Sequence, residues 1–386
     1  MNMNTLDKCL CCGSRLTRLI DFGDMPLVNT YNVKDTFPLS VNRCVECCHL
    51  QLNEFVNPEI IYRDYAYCSG TGRTALDYFR DFAVTALSYV PKATDVLDIA
   101  SNDGSQLDAF RELGLETHGV DPAANLAPIA ESKGHNIIIN FFEDVPFTPN
   151  GFDIITAQNV LAHTPTPLRF LQKCREIMHD KSRLFIATSQ ANMVVNGECD
   201  TIYHEHISYF NAHSMMRLAH AAGLQVLDII MHDIHGTSYV FVLGKRGEGS
   251  IRVMSRLTWE SVVGMKSTPL YGWWEGHVTD KIKRVGDTIR QYQNDGYYAV
   301  GCGAAAKGIS MLNMAGVKLD VLADNTPTKW NRETSGMSIV PFDEIANMVL
   351  HKKILFVILA WNVAPEIRRN VLKLRDNKAD VFIETR

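Results

Sequence analysis

The sequence lacks an excess of basic residues: 38 lysines and arginines stand against 43 aspartates and glutamates, for a formal net charge of −5. This balance provides no positive field for a nucleic-acid backbone or an anionic membrane surface, so neither is expected as a partner. The chain also has no apolar run near the ~18 residues that a membrane-spanning helix needs. Its first residues, MNMNTLDKCLCCG, lack the charged and then apolar pattern of a secretory signal. We therefore expect a cytoplasmic protein.

The composition is that of an ordinary globular protein. Of the 386 residues, 46% are apolar and 21% are charged. At about 150 residues per domain, this length predicts two or three domains. The order of motifs divides the sequence into residues 1–78, 79–245 and 246–386. We predict one domain for each of these segments.

Cysteines are concentrated at the beginning of the chain, where six of the ten fall within the first 48 residues. CLCCG and CVECC each contain a C-x-x-C pair, and 31 residues separate the two pairs. Two such turns supply four thiolates to one tetrahedral ion, so we predict a structural zinc site rather than a redox pair or unliganded thiols. The predicted ligands are Cys9, Cys12, Cys44 and Cys47. Cys11 and Cys48 adjoin the pairs and leave the register open.

Segment 79–245 alternates between strand-like apolar runs and helix-like runs with short polar connections. DVLDIASNDG ends in small and polar residues, and ETHGVDP ends a second strand at Asp121. This alternation predicts an α/β domain with a doubly wound sheet whose ligand lies at the carboxyl ends of the strands. The predicted ligand-binding residues of the first connection are Asp98, Ala100, Ser101, Asn102, Asp103 and Gly104.

The chemistry of this first connection favours S-adenosylmethionine (SAM) as the ligand. Asp121, about 20 residues after the first connection, can accept hydrogen bonds from two ribose hydroxyls. A dinucleotide-binding turn is rich in glycine, whereas ASNDG carries carboxylate and amide groups that suit a cationic ligand. A Rossmann-like sheet with an unrelated ligand remains the alternative.

Segment 246–386 repeats the order of strand, glycine-rich turn and helix in YYAVGCGAAAKGISMLNMAG. LDVLADNTPTKW adds a second strand that ends near Asn325, so we predict a second Rossmann-like domain. The helix that begins between Gly303 and Lys307 can receive a phosphate through its free N–H groups and the lysine charge. Alternatively, these glycines only allow the helix to pack closely on the sheet.

In this order, the motifs resemble the three-domain sugar C-methyltransferases, which methylate carbon 3 of a nucleotide-linked 4-keto-deoxysugar. The similar stretches are CxxCG with DFGDMPLVNTY and FPLSVNRCVECCHLQL, then YAYCSGTG, DIASNDG, HGVDPAANLAPIA, QNVLAHTPTP, DTIYHEHISYF, GAAAKG, LADNTPTK and AWN. The resemblance implies a class I SAM methyltransferase domain between an N-terminal zinc-binding domain and a C-terminal Rossmann-like domain that binds the sugar nucleotide. At Ala100 the family usually has glycine.

The resemblance also implies roles for residues of the candidate site. It identifies His206 as the base that removes the proton from the carbon, with Glu205 orienting an imidazole or binding the sugar. Tyr203 and His163 would donate hydrogen bonds to the ketone oxygen. Tyr65 or Tyr67 would cover the site, and Asn159 would contact SAM. The sugar nucleotide, which the family resemblance favours as a dTDP-sugar, would be bound by His235, Gly303, Lys307 and Asn325.

Other interpretations of the same patterns remain open. The run YHEH could be a metal site built on His204 and His206, although it lacks the spacing of H-E-x-x-H, or a hydrogen-bonded polar turn. The whole chain could be an N- or O-methyltransferase with the same cofactor, a non-catalytic protein that binds a partner through its zinc knuckles, or an NAD-dependent sugar oxidoreductase. We expect a monomer.

Overall fold

The computed structural model describes residues 3–32, 34–63, 65, 67–188, 191–232, 238–345 and 352–385. The chain forms two compact units. The first comprises Met1–Leu19, Val41–Asn192 and Glu205–Ser267, and the second comprises Ile20–Ser40, Met193–His204 and Thr268–Arg386. Among the described residues, no helix has both the length and the apolar character to cross a membrane.

The strands, in chain order, are β1 (Met3–Thr5), β2 (Leu16–Pro26), β3 (Thr36–Cys44), β4 (Leu50–Leu52), β5 (Glu54–Val56), β6 (Asp95–Ile99), β7 (Glu116–Asp121), β8 (Asn136–Ile139), β9 (Phe152–Gln158), β10 (Met178–Thr188), β11 (Ser208–Tyr209), β12 (Gln225–His232), β13 (Ser238–Gly244), β14 (Tyr298–Cys302), β15 (Val321–Asp324), β16 (Glu333–Thr334), β17 (Met337–Pro341), β18 (Ile354–Ile358) and β19 (Val381–Glu384).

The helices of the described residues are α1 (Pro58–Tyr62), α2 (Arg73–Tyr89), α3 (Ser105–Glu112), α4 (Ala127–Ser132), α5 (Pro167–Ile177), α6 (Met193–Asn196), α7 (Ala212–Ala221), α8 (Ile251–Val262), α9 (Thr268–Asn294), α10 (Ala306–Met314) and α11 (Ala364–Leu374). Short 3₁₀ helices lie at Ser69–Thr71, Phe142–Asp144, Leu161–His163, Pro327–Lys329 and Trp361–Val363.

The first unit is built on a seven-stranded sheet in the order β12-β13-β10-β9-β6-β7-β8. The pairs from β10 through β8 are parallel, and β13 runs antiparallel to both β10 and β12. One face packs against α2 and α3, and the other packs against α5 and α7. Because both faces are covered, the central strands are apolar almost throughout, as DVLDI and FDIITA are. The predicted doubly wound sheet is confirmed.

A smaller four-stranded sheet has the order β11-β4-β3-β2, and β1 pairs with β5. Strand β11 follows directly after the run YHEHI and is antiparallel to β4, with Ser208 opposite Gln51. The cysteine-rich segment and the run that contains His206 therefore share one sheet, although about 150 residues separate them in sequence.

The second unit contains a six-stranded sheet in the order β16-β17-β15-β14-β18-β19. All of its neighbouring pairs except β16 with β17 are parallel, which confirms the second Rossmann-like domain. Gly308 lets α10 approach this sheet, because a Cβ atom there would lie 2.3 Å from the Cβ of Leu359. Helix α9 begins at Thr268 and buries Trp274 completely.

Zinc centre and candidate active site

The four predicted ligand sulfurs form one cluster. The Sγ atoms of Cys9, Cys12, Cys44 and Cys47 all lie within 4.8 Å of one another. The distance is 3.5 Å between Cys9 and Cys47 and 3.4 Å between Cys12 and Cys44, close to the ~3.8 Å edge of a tetrahedron with Zn–S bonds of ~2.3 Å. The amide of Cys11 donates to the Cys9 sulfur at 3.4 Å, as expected for a knuckle. The cluster fits a structural zinc ion with no open coordination position.

Cys48, which could have replaced its neighbour as a ligand, lies outside the sulfur cluster. Its φ of 60° is in the left-handed region that turns the chain after the second knuckle. Its carbonyl accepts a hydrogen bond from Asn211 Nδ2 at 2.7 Å. Burial raises the pKa of the Cys44 thiol to about 11, so a bound cation has to supply the charge that stabilises this thiolate.

The first knuckle is connected to the candidate catalytic run through β4. Gln51 is fully buried, and its Oε1 accepts a hydrogen bond from the amide of Leu10 at 2.8 Å. One residue later, the amide of Leu52 donates to the carbonyl of Ile207 at 2.8 Å. Ile207 directly follows His206 in the chain, so the zinc-binding segment holds the backbone next to the proposed base.

The predicted SAM loop lies at the carboxyl ends of β6 and β7. Ala100, Asn102 and Gly104 have φ values of 59°, 52° and 75°, so this connection turns sharply three times. Asp121 accepts hydrogen bonds from the amides of Asn102 at 2.8 Å and Ala123 at 2.7 Å. A carboxylate at the end of the second strand is thereby fixed beside the loop, as a ribose-binding position requires. The donor and acceptor groups of this loop fit SAM.

Asp98 and Ser101 lie inside the domain rather than on the surface of this loop. The Asp98 carboxylate accepts hydrogen bonds from Gln106 Nε2 at 2.8 Å and Thr156 Oγ1 at 2.6 Å. Burial raises its pKa to about 7. Ser101 is 3% exposed. The Asp98 carboxylate thus connects side chains of α3 and β9, and ligand contact by Asp98 or Ser101 remains a prediction.

The raised pKa of Asp98 predicts a pH dependence of stability. Because folding raises this pKa from 3.8 to about 7, the contribution of the carboxyl to stability is present below its unfolded pKa and is lost as the pH rises toward 7. Between about pH 5 and about pH 8 we expect the free energy of unfolding to fall by about 2–3 kcal/mol from this group. In Asp98→Asn the decrease from this group should be absent when the free energy of unfolding is measured by urea titration at the two pH values. Burial also raises the pKa of Glu260 to about 7, so part of the decrease in stability with rising pH should persist in the variant. An unchanged pH slope in Asp98→Asn would contradict the assignment.

Asn102 and Asp103 hold a second segment against the SAM loop. Asn102 Oδ1 accepts a hydrogen bond from the amide of Ser69 at 3.0 Å, and its Nδ2 donates to the carbonyl of Tyr67 at 3.0 Å. Asp103 Oδ2 accepts from the amide of Gly70 at 3.0 Å. The YAYCSGTG stretch is therefore fastened to the loop by side chains predicted from sequence as cofactor contacts.

Gly70 permits this close contact. A Cβ atom at this position would lie 2.0 Å from Ser105 Oγ and 2.9 Å from Asp103 Oδ2. We expect Gly70→Ala to displace the segment from the loop and to weaken SAM binding at least tenfold, measured by calorimetry with S-adenosylhomocysteine. Gly72→Ala is the matched control, because a Cβ atom there meets nothing within 4 Å. Equal affinities of the two variants would show that the segment does not support the cofactor site.

Five side chains of the first unit converge where β9 ends. Tyr65 donates a hydrogen bond to Glu205 Oε2 at 2.9 Å. The hydroxyl of Tyr62 lies 2.7 Å from His163 Nδ1. The His163 and His206 rings are edge to face, with centroids 4.9 Å apart. His206 and Glu205 are 8% and 5% exposed, so a reaction here is largely shielded from water. We call these five side chains the tyrosine–histidine cluster.

The other residues predicted around this cluster differ in position. Tyr67 lies beside Tyr65, with ring centroids 6.3 Å apart, but 43% of its surface is exposed. Asn159 has a φ of 56° and its amide donates to the carbonyl of Ala187 at 2.7 Å, which places it at the carboxyl end of β9. Of these two tyrosines, Tyr65 is the one whose hydroxyl donates to the carboxylate of Glu205, a predicted site residue.

Tyr203 and His204 belong to the second unit, unlike their two successors in the run. Tyr203 is 8% exposed and packs with Val28 and Ile289 in a hydrophobic core cluster of that unit. His204 Nε2 donates to the carbonyl of Phe37 at 3.1 Å, and burial lowers its pKa to about 4. In the described part of the chain, histidines and carboxylates form no group with metal-binding geometry, so YHEH is not supported as a metal site.

Three contributing residues were not identified from the sequence. Tyr62 precedes Tyr65 by three residues, in YRDYAY, and this tyrosine spacing at a helix end was the available signal. Asn125 holds the backbone of Tyr65 through two hydrogen bonds of 3.1 and 2.9 Å. The Gln158 side chain, at the end of β9, accepts a hydrogen bond from Tyr78 at 2.7 Å. Single polar residues of this kind carry no periodic signal.

The predicted sugar-nucleotide residues lie in the second unit, except His235, which falls outside the described residues. Gly303 has a φ of 82° at the turn before α10, and Asn325 is exposed after β15. Lys307 Nζ lies 3.9 Å from Asp200 Oδ2 and 5.1 Å from the centroid of the Trp361 ring. Asp200 also accepts a hydrogen bond from Trp361 Nε1 at 2.6 Å. DTIYHEH, GAAAKG and AWN thus meet in one cluster.

Comparison with known families covers nearly the whole chain. Residues 9–62 match a zinc binding domain, residues 64–229 match a methyltransferase domain, and residues 233–384 match the C-methyltransferase C-terminal domain. The chain belongs to the SAM-dependent C-methyltransferases. The predictions of this family, of the SAM cofactor and of structural zinc are thereby confirmed.

The chain is also similar to individual proteins. The C-methyltransferase is 26% identical to C-methyltransferase NovU of Streptomyces niveus over 395 residues, which cover 96% of this chain and 94% of NovU. A ubiquinone biosynthesis O-methyltransferase of Coxiella burnetii is 24% identical over 171 residues, 40% of this chain and 73% of that protein. Among solved structures, the 1,6-didemethyltoxoflavin N1-methyltransferase of Burkholderia thailandensis superposes with a TM-score of 0.38 at 16% sequence identity. The matched region covers 45% of this chain and 80% of that protein.

Proposed function

We propose that this C-methyltransferase removes a proton from carbon 3 of a nucleotide-linked 4-keto-deoxysugar and methylates the resulting enolate. The observation that carries the proposal is the tyrosine–histidine cluster, which combines two imidazoles and one carboxylate in a partly buried position at the carboxyl edge of the SAM sheet. Methylation of oxygen or nitrogen needs no carbanion. A base beside a neutral hydrogen-bond donor is the arrangement that ionising a C–H bond next to a ketone requires.

His206 is assigned as the base and His163 as the donor to the ketone oxygen. Burial lowers the pKa of His163 to about 4, so at neutral pH this imidazole is uncharged and can donate one hydrogen bond. Negative charge that develops on the oxygen is stabilised most by a donor that is already oriented and shielded from water. When bound, SAM supplies the electrophilic methyl group.

Glu205 is assigned to the sugar. Its carboxylate is 5% exposed and receives a hydrogen bond from Tyr65, which fixes its orientation. A carboxylate has two oxygens that can each accept more than one hydrogen bond, so a buried carboxylate suits a sugar hydroxyl or amine. Tyr65 would thus help to position the substrate and to cover the site.

The second unit is assigned to the nucleotide. Lys307 at the beginning of α10 supplies positive charge, and the helix N-terminus adds amide donors. Lys307 already faces Asp200, so a diphosphate would have to compete with this carboxylate or share the lysine with it. Resemblance to the sugar C-methyltransferases favours dTDP as the nucleotide.

The test is a mass-spectrometric assay with methyl-deuterated SAM, run in heavy water with a panel of dTDP-4-keto-6-deoxysugars. We expect the full labelled methyl group on carbon 3 of the product. The carbon-3 hydrogen should also exchange with solvent when S-adenosylhomocysteine replaces SAM, because enolate formation precedes methyl transfer. A product labelled on oxygen or nitrogen, without carbon exchange, would refute the proposal and leave the fold untouched.

An O- or N-methyltransferase is the second candidate. The observation that favours it is the similarity of the middle part of the chain to a ubiquinone biosynthesis O-methyltransferase. That similarity covers 40% of this chain, whereas the similarity to the C-methyltransferase covers 96%. The position of the label in the same assay distinguishes the two candidates.

We further propose that the enzyme acts as a monomer in the cytoplasm. A reducing compartment keeps thiols reduced, and all ten cysteines are free of disulfide bonds in the structure. Mass photometry at working concentration would test the oligomeric state.

A further inference from the structure

Tyr62 is the last residue of α1 and the last residue of the zinc-binding domain match. Its hydroxyl oxygen lies 2.7 Å from His163 Nδ1 and 3.4 Å from the backbone carbonyl of Glu205, both in the first unit. Its ring also lies 5.6 Å from the rings of both His163 and Tyr65. The zinc-binding region thereby contributes a side chain to the candidate active site.

The lengths of these two contacts bear on the direction of the phenol O–H bond. A tyrosine hydroxyl carries one proton, and an O–H donor binds best at about 2.7–2.8 Å. The contact with His163 Nδ1 has this length, whereas 3.4 Å is outside the favoured range for an O–H bond to a carbonyl. The 2.7 Å contact therefore favours a phenol proton directed at Nδ1, which would accept it with its lone pair.

This hydrogen bond determines the tautomer of His163. A neutral imidazole carries one proton, so an accepting Nδ1 requires the proton to be on Nε2. Burial lowers the pKa of His163 to about 4, which keeps the ring neutral at physiological pH. Nε2–H is then the group of this ring that can donate to a ligand.

We propose that Tyr62 is a positioning residue that holds His163 as the Nε2–H tautomer, so that His163 donates to the substrate oxygen and His206 is left as the base. This inference rests on the proposed function. It explains how two histidines with ring centroids 4.9 Å apart take different roles: the hydroxyl of Tyr62 assigns the donor role to one of them. With the opposite tautomer, His163 would present a lone pair to the oxygen and repel it.

The decisive measurement is the ¹⁵N spectrum of the histidine rings in the free holoenzyme, with the His163 signals assigned by comparison with His163→Gln. We expect a protonated Nε2 and an unprotonated, hydrogen-bonded Nδ1. In Tyr62→Phe the Nδ1 signal should move toward the position of a nitrogen without a hydrogen bond. In the carbon-3 assay, kcat should fall about tenfold to a hundredfold with KM nearly unchanged.

Tyr65→Phe is the matched control for the spectrum, because it removes a neighbouring phenol hydroxyl that contacts Glu205 instead. It should leave the His163 signals in place. A protonated Nδ1 in the wild type overturns the inference, and that measurement needs no variant to fold. Unchanged His163 signals in Tyr62→Phe overturn it as well.

The two proposals can fail separately. The spectrum is recorded without sugar, so the choice of substrate cannot affect it. The predicted tautomer without carbon methylation would refute the proposed function and keep the role of Tyr62 on His163. Carbon methylation with the opposite tautomer would refute only the role of Tyr62.

Discussion

His206→Asn is expected to lower the rate of carbon methylation about a thousandfold, while SAM binding remains unchanged. General-base catalysis typically contributes ~10²–10⁴, and no other histidine among the described residues lies as close to His163. Asparagine approximates the shape of the ring but cannot remove a proton from carbon. The rate of carbon-3 deuterium exchange with S-adenosylhomocysteine bound measures this step directly, without methyl transfer.

His204→Gln is the matched control within the same run. His204 donates a hydrogen bond to the carbonyl of Phe37 in the second unit, and a glutamine amide can make the same bond. We expect its exchange rate to stay near that of the wild type, with a change in stability at most. Retention of carbon-3 exchange in His206→Asn would refute the assignment of the base, whatever its overall turnover.

Removal of zinc is expected to release the candidate catalytic run as well as the N-terminal segment. Structural zinc contributes about 10–16 kcal/mol in small domains, and without it the four buried thiols lose the ion that holds them together. Gln51 connects the first knuckle to β4, and β4 pairs with β11 immediately after His206. We therefore expect loss of carbon-3 exchange together with faster hydrogen exchange of the Leu52 amide, which is bonded to Ile207.

Cys44→Ser tests this connection, with Cys48→Ser as the adjacent control outside the sulfur cluster. Cys44→Ser should lose bound zinc and amide protection in β4 and β11, while the central strands β6 and β9 stay protected. Cys48→Ser should keep its zinc. If Cys44→Ser lost zinc but kept the protection of Leu52, the connection between the metal and the catalytic run would be refuted.

Much of the fold was predictable because burial leaves a regular pattern in sequence. DVLDI and FDIITA are apolar runs of strand length, and the structure places them as neighbouring parallel strands β6 and β9. The C-x-x-C pairs were equally clear, since tetrahedral zinc requires four thiolates at such spacing. The beginning of α9 at Thr268 was not identified, although Pro269, directly after it, is a residue typical of the first turn of a helix.

The candidate site was predictable only in part. Sequence motifs identified His163, Glu205 and His206, which the structure brings together with Tyr65. They did not identify Tyr62. They also did not indicate that Asn102 and Asp103 bind the segment at 67–70, because a polar side chain beside a ligand loop has the same local pattern whichever group it contacts.

By itself, the sequence determined the kinds of domain, their order, the zinc ligands and the chemical types of the candidate site residues. All of these depend on local composition and spacing. The tertiary structure alone decided which polar group faces which. The phenol of Tyr62 meets His163 Nδ1, about 100 residues later in the chain, and β4 meets β11, about 150 residues later. Such pairings are set by how the sheets and helices pack, because a hydrogen bond forms only where packing brings a donor within about 3 Å of an acceptor.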